Sequence, residues 1–254
     1  MKNINQEELN EILEKHQMWL NDEEGGECAD LSYVDLSNAD LSDTNLTAAN
    51  LMGVDLSDAD LYNANLACTD LRNADLRNAN LTDANLKFTN LEGANLTDAD
   101  LRNSNLIYTN LRCTDLTSAN LEGTDLWNAN LIDSKLVGIK TNMNTIGYNL
   151  ACPEKGSFIG YKKAGEYIVE LLILEDAKRS SATTAKCRCS KAKVLNIEDI
   201  KTGLKVIEAS SNYNPEFIYR VGEIITVDDF DENRWNECST GIHFFMNREN
   251  AINY

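Results

Sequence analysis

From Leu31 to Leu136 every fifth residue is leucine, 22 in succession, and the position two before each is Ala, Thr, Val or Ser. The residue directly before each leucine is Asp or Asn from Asp30 to Asn130 and breaks only at Lys135. A period of five is neither the 3.6 of a helix nor the 2 of a flat strand. It suits a chain that turns a corner every five residues, so that four repeats close one square coil and residue i lies over residue i+20. Leucine and the small residue then point inward, and a narrow tube has room for one large and one small side chain per face. Leu51, Leu71, Leu91 and Leu111, with Ala59, Ala79, Ala99 and Ala119, are expected in its core. Asp and Asn suit the corners, because their short side chains bond nearby backbone groups.

The two residues after each leucine face outward and fall into four columns at the same spacing of 20. Three are mostly polar, one of them running Asn38, Asp58, Asn78, Asp98, Ser118, and another alternating in sign through Arg72, Glu92 and Arg112. The fourth follows Leu46, Leu66, Leu86, Leu106 and Leu126 and carries Ala48, Ala67, Cys68, Phe88, Ile107, Tyr108 and Trp127. A continuous apolar stripe on a solvent face marks an interface. Its expected occupant is a second copy of the chain, giving a homodimer, the C-terminal domain or the N-terminal helix folding back, or a separate protein.

Before the repeats, NQEELNEILEKHQMWLND spaces Leu9, Ile12, Leu13, Trp19 and Leu20 as one face of a helix, with Asn5 and early glutamates as its start signal. Its expected task is to cap the open end of the coil, which otherwise offers unpaired backbone groups. His16 is expected to pack or to face solvent rather than to hold a ligand. After the repeats, GSFIGYKKA, YIVELLIL, AKVLNI, GLKVIE, EFIYRV, EIITV and GIHFF read as strands and NRENAINY as a short helix, an α+β domain built on an antiparallel sheet. AKRSSATTAK, residues 177 to 186, reads as a polar mobile loop. The expected division is 1–27, 28–140 and 141–254.

The motif A(D/N)LXX over residues 29 to about 140 resembles the pentapeptide repeat family, which implies a right-handed quadrilateral β-helix. KCRCSKAKVLNI with ECSTGIHFF resembles an uncharacterised domain appended to such repeats in phage and bacterial proteins, and HQMWLND before a Gly-Gly turn is similar to the segment that precedes the repeats there. Some family members resemble B-form DNA in size and charge and act on DNA gyrase. The resemblance therefore adds a DNA-mimic modulator of gyrase or topoisomerase to the functions in play. Those members typically carry aromatic central residues, and many have loop insertions; here all 22 central residues are leucine and no loop interrupts them.

The net charge of −18 is concentrated toward the start of the chain. Residues 28 to 140 hold 7 basic and 17 acidic residues, residues 141 to 254 hold 14 and 16. That balance disfavours direct nucleic-acid binding, although an acidic surface also simply confers solubility. The absence of a long apolar run or a secretory leader predicts a cytoplasmic protein without membrane contact, its seven cysteines reduced. Cys187, Cys189, Cys238 and His243 are the residues most like a zinc site, but CxC is an unusual spacing and no second histidine is near; buried reduced thiols are the plainer reading. A nucleophilic Cys238 with His243 is disfavoured by their spacing along a strand. Tyr219 and Arg220 with the acidic run Asp228 to Glu232 are the only hint of a small-molecule transferase site. No phosphate loop or hydrolase motif occurs. The sequence thus predicts a non-enzymatic scaffold without a cofactor, with the gyrase modulator and an enzymatic or nucleotide-binding C-terminal domain as alternatives.

Overall fold

A computed structural model describes residues 1–148, 151–236 and 239–254. The chain divides into two compact units, Met1–Tyr148 and Asn149–Tyr254.

In the first unit the repeats stack by parallel bridges between residues 20 apart, from Asp30 on Asn50 through Asn120 on Lys140. The leucine N–H groups from Leu31 to Leu126 donate to the next coil, as Leu31 N does to the Asn50 carbonyl at 2.8 Å. The leucines from Leu31 to Leu131 are buried, with Leu51, Leu71, Leu91 and Leu111 fully so, and Ala59, Ala79, Ala99 and Ala119 lie among them. Leu136, near the upper end, is half-buried. Threonines in the small position bury hydroxyls that a dry core tolerates only when bonded; Thr89 and Thr109 donate to the carbonyls of Leu66 and Leu86, both at 2.6 Å. The corner residues accept the backbone N–H two positions on, as Asp30 does from Ser32 at 3.1 Å, and asparagines also bond up the column, Asn80 to Asp60 at 2.9 Å.

The coil outlasts its motif. Ile146 bridges Asp125, Thr145 sends its hydroxyl to the Leu121 carbonyl at 2.8 Å, and Thr145 is buried in the place a small repeat residue would take. One extra residue separates these positions from the spacing of 20, which hides the turn from a reading by period.

At the lower end, the strand β1 (Lys2–Asn3) pairs in parallel with β2 (Val34–Asp35) of the first coils. The helix α1 (Gln6–Leu20) starts at a reciprocal capping box between Asn5 and Glu8. It buries Leu9 and His16, while Trp19 remains partly exposed and stacks on the His16 ring at 5.5 Å. His16 Nδ1 accepts the backbone N–H of Ala29 at 3.1 Å, which fixes the neutral form with its proton on the other nitrogen.

The second unit holds a seven-stranded sheet of β3 (Phe158–Ala164), β4 (Tyr167–Ile173), β5 (Arg179–Ser181), β6 (Lys186–Cys189), β7 (Lys191–Asp199), β10 (Ile224–Thr226) and β11 (Ile242–Phe245). Their order is β10-β7-β4-β3-β11-β6-β5, and every pair is antiparallel. A two-stranded ribbon, β8 (Glu208–Ser210) with β9 (Ile218–Arg220), forms a separate sheet that places Ala209 and Tyr219 in the same core as Val169 and Leu171. The terminal helix α2 (Arg248–Asn253) packs Ala251 against Ile168 and Phe245. Val169, Leu171, Val194, Ile197 and Phe244 lie in the larger core on the opposite face.

Two expectations fail here. The segment 177–186 is no open loop: it contributes β5, and Ser180, Ser181, Ala182 and Thr183 are buried. GLKVIE is mostly not a strand; β8 starts only at Glu208, and Lys205 makes a single bridge to Glu198. Short serine- and threonine-rich strands lack the alternation that identifies a half-buried strand.

Candidate interaction surface

The third residue of each outward turn adopts a left-handed conformation, with φ near 60° along all four columns. That conformation clashes with Cβ, so glycine, asparagine and aspartate are its usual occupants. Three columns largely comply. One runs Asp43, Asn63, Asp83, Asn103, Gly123; another runs Tyr33, Gly53, Asn73, Gly93, Cys113, Asp133. The fourth does not: Ala48 at 63°, Cys68 at 62°, Phe88 at 61° and Tyr108 at 59° hold it with side chains that gain nothing from it, and only Asn128 returns to type.

Phe88 and Tyr108 are exposed by 52% and 50%, and their rings stack with centroids 5.1 Å apart. The Lys87 ammonium stands 5.1 Å from the Phe88 ring centroid. Ala48, Cys68 and Trp127 are also exposed, Ala67 and Ile107 half-buried. The sequence pattern locates the stripe; the strained backbone beneath its aromatic residues comes from the structure alone.

The charged columns differ in detail from the expected ladder. Arg112 pairs with Glu92 at 3.3 Å, but Arg72 turns back on Asp70, two residues before it, with contacts at 2.8 and 2.6 Å. The guanidinium holds the Asp70 carboxyl below the usual carboxylate range. Arg77 and Arg102 repeat this clasp with Asp75 and Asp100.

In the second unit Cys187 and Cys189 are both buried, and they share one face of β6 with the residues paired opposite them, Phe244 and Ile242. His243 pairs with Arg188 and therefore faces the other side of the sheet. The zinc constellation is thus divided between two faces, and Cys238 lies outside the described residues. Among the described residues no group of three or more His, Cys, Asp or Glu is placed to hold a metal. Burial pushes the Cys189 thiol up to about 12, far from a reactive thiolate. Tyr219 is buried, whereas Arg220 reaches out to Glu208 at 3.1 Å, so this pair does not converge on one site. Among the described residues no helix is long and apolar enough to cross a membrane.

Residues 29–66, 59–98, 79–117 and 109–140 match the model for pentapeptide repeats, and residues 148–251 match that of a family of unknown function, DUF5758. No curated protein matches the chain. Among solved structures, the chain is similar to the pentapeptide repeat protein Rfr23 from the cyanobacterium Cyanothece 51142, at 27% identity over 54% of this chain and 97% of that one, with a TM-score of 0.33. HetL, a pentapeptide repeat protein involved in heterocyst differentiation regulation in Nostoc, is 27% identical over 46% of this chain and 65% of its own, with a TM-score of 0.26. QnrB1, a plasmid-mediated fluoroquinolone resistance protein, is 22% identical over 45% of this chain and 65% of its own, also with a TM-score of 0.26. At these scores none of the three bears on what this chain does. The repeat models, the coil stacking and the match over the second unit together identify the chain as a pentapeptide repeat protein that ends in a DUF5758 domain.

Proposed function

We propose that the chain is a non-enzymatic interaction protein. In this reading, residues 28–140 form a right-handed, four-sided column that holds a protein-binding stripe, residues 1–27 cap its lower end, and residues 141–254 form a second functional domain. The observation that carries it is the pair Phe88 and Tyr108, exposed and held in a conformation disfavoured for aromatic residues. Nothing in the packing of the column requires them, since asparagine and aspartate fill the same position on other faces. Outliers of this kind persist where a surface is under functional demand. The β1–β2 pairing and the His16 contact to Ala29 support the capping role.

The occupant of the stripe is a protein, and a second copy of the chain is the simplest one, because an apolar strip along a straight column is self-complementary under a two-fold axis. Light scattering on the full-length protein and on the double variant Phe88→Ser, Tyr108→Ser tests this. A dimer that becomes a monomer supports the reading. A monomeric wild type assigns the stripe to a different protein, and a dimer unaffected by the variant overturns the stripe as the interface.

A further inference from the structure

The sheet of the second unit opens between β3 and β11. β11 pairs with β6 at four positions but with β3 at one, Phe245 against Tyr161. At that place lies a cavity of about 510 Å³. Its lining draws on both faces of the sheet: Lys163, His243 and Phe245 alternate onto the α2 side, while Ile242 and Tyr219 belong to the larger core.

Three lysines line it, Lys162, Lys163 and Lys186, and among the described residues no aspartate or glutamate does. In a chain of net charge −18 that is a local inversion. None of the three makes an ion pair among the described residues, unlike Lys178, Lys191 and Lys201 but like Lys155, Lys193 and Lys205. Instead they meet neutral groups. Lys186, itself buried, donates to the Tyr254 hydroxyl at 2.8 Å, and Lys163 donates to the Ile252 carbonyl at 2.8 Å. The Lys162 ammonium lies 6.0 Å from the Tyr213 ring centroid. Burial, with the nearby Lys186 charge, lowers Lys162 to about 8. Strand alternation brings Lys162 in from the larger-core face and Lys186, opposite Phe245, from the α2 face, so an anion lodged in the gap between β3 and β11 meets both ammonium groups.

The remaining wall is aromatic. Phe217 and Tyr219 meet edge to face at 5.2 Å, Tyr254 tilts against Phe245 at 5.2 Å, and Tyr213 is exposed. A concave, largely apolar cavity with a few convergent polar groups is the usual form of a small-molecule site. From this geometry we infer that the cavity binds a phosphate monoester carrying a flat ring, of the nucleoside monophosphate class, with Lys162 and Lys186 on the phosphate and the aromatic wall on the ring. Lysine serves phosphate as a point charge and aromatic faces accept any base, so the site selects the class before the base. Arg188 acts behind it as a positioning residue: its buried guanidinium donates to the carbonyls of Asp231, Asn233 and Thr240, and so holds the segment that brings Thr240 and Gly241 to the cavity wall.

The test is calorimetric titration of the full-length protein with the four common nucleoside 5′-monophosphates, and with adenosine and inorganic phosphate as half-ligands. The expected result is saturable one-to-one binding of at least one monophosphate, with adenosine and phosphate alone about tenfold or more weaker. Lys162→Gln and Lys186→Gln each lower that affinity about tenfold or more, and Lys186→Arg retains most of it. Unliganded melting curves show whether each variant is folded; should a glutamine variant not fold, Lys186→Arg and the half-ligands still decide. No binding of any monophosphate, binding of phosphate alone as strong as the monophosphate, or affinity unchanged in a folded glutamine variant would each overturn the assignment.

Discussion

The rings of Phe88 and Tyr108 lie 5.1 Å apart and 10° from parallel, one coil above the other, on backbones with φ of 61° and 59°. Stacking stabilises such a pair by about 0.5–1.5 kcal/mol, and the left-handed backbone costs on the order of 1–2 kcal/mol per residue. Over the two residues the backbone cost exceeds the stacking by about 0.5–3.5 kcal/mol. Replacing both residues with asparagine, which tolerates this conformation, is therefore expected to leave the unfolding free energy unchanged or raise it by up to about 3 kcal/mol while abolishing association through this face. Urea denaturation together with mass measurement checks it; a loss of several kcal/mol would make the pair structural.

The interior of the column allows no such exchange. Ala79 is fully buried among leucines, and Ala79→Leu adds three carbons to a cross-section without space for them. Destabilisation of about 1–3 kcal/mol or more is expected, read as a lower urea midpoint. Unchanged stability would refute the inward placement of the small position.

His16 offers a test at the lower end. Its Nδ1 takes the Ala29 N–H, and His16→Ala leaves that donor unpaired in a buried place, at a cost of about 1–3 kcal/mol. Burial lowers the imidazole pKa from its ordinary 6.5. The sign follows from proton uptake: below pH 6.5 the unfolded chain binds a proton at His16 that the folded chain resists. Stability should thus be full above that pH and decline as pH falls through 6.5 toward the depressed folded value. His16→Gln should flatten that part of the profile, and an identical pH dependence in the variant would contradict the assignment.

Arg188 is the more deeply buried of the two buried cations described in the second unit, 1% exposed, with its guanidinium 5.4 Å from the Phe230 ring centroid. Arg188→Met keeps the aliphatic bulk and removes the donors to three carbonyls. A loss on the order of 3 kcal/mol is expected, detectable as a lower melting temperature. Protection from amide exchange should fall first in residues 229 to 236 and 239 to 241.

The column was legible because its period is geometric: one leucine and one small residue per corner leave no other arrangement of 22 repeats. The four outward columns followed from the same arithmetic. The left-handed conformation beneath Phe88 did not, since the sequence reveals what stands at a position and not the torsion it must accept. In the second unit the long apolar strands β3, β4 and β7 could be found, whereas β5, with its buried serines, read as a loop. The basic cavity was harder still. Lys162 and Lys163 sit side by side inside a strand, Lys186 opens another, and Tyr213 belongs to a turn; only the single pairing of β3 with β11 gathers them.

The bridge from each residue to the one 20 places on makes the length of the column a quantised property. Removing 20 residues deletes one coil and leaves every leucine inward and every face aligned. Removing five leaves the core intact but rotates all that follows by a quarter turn, so that the aromatic stripe breaks and its upper half continues on a polar face. A deletion of one residue respects neither register. The repeat thereby separates two kinds of inherited change: one alters how long the stripe is, and the other alters which way its ends point.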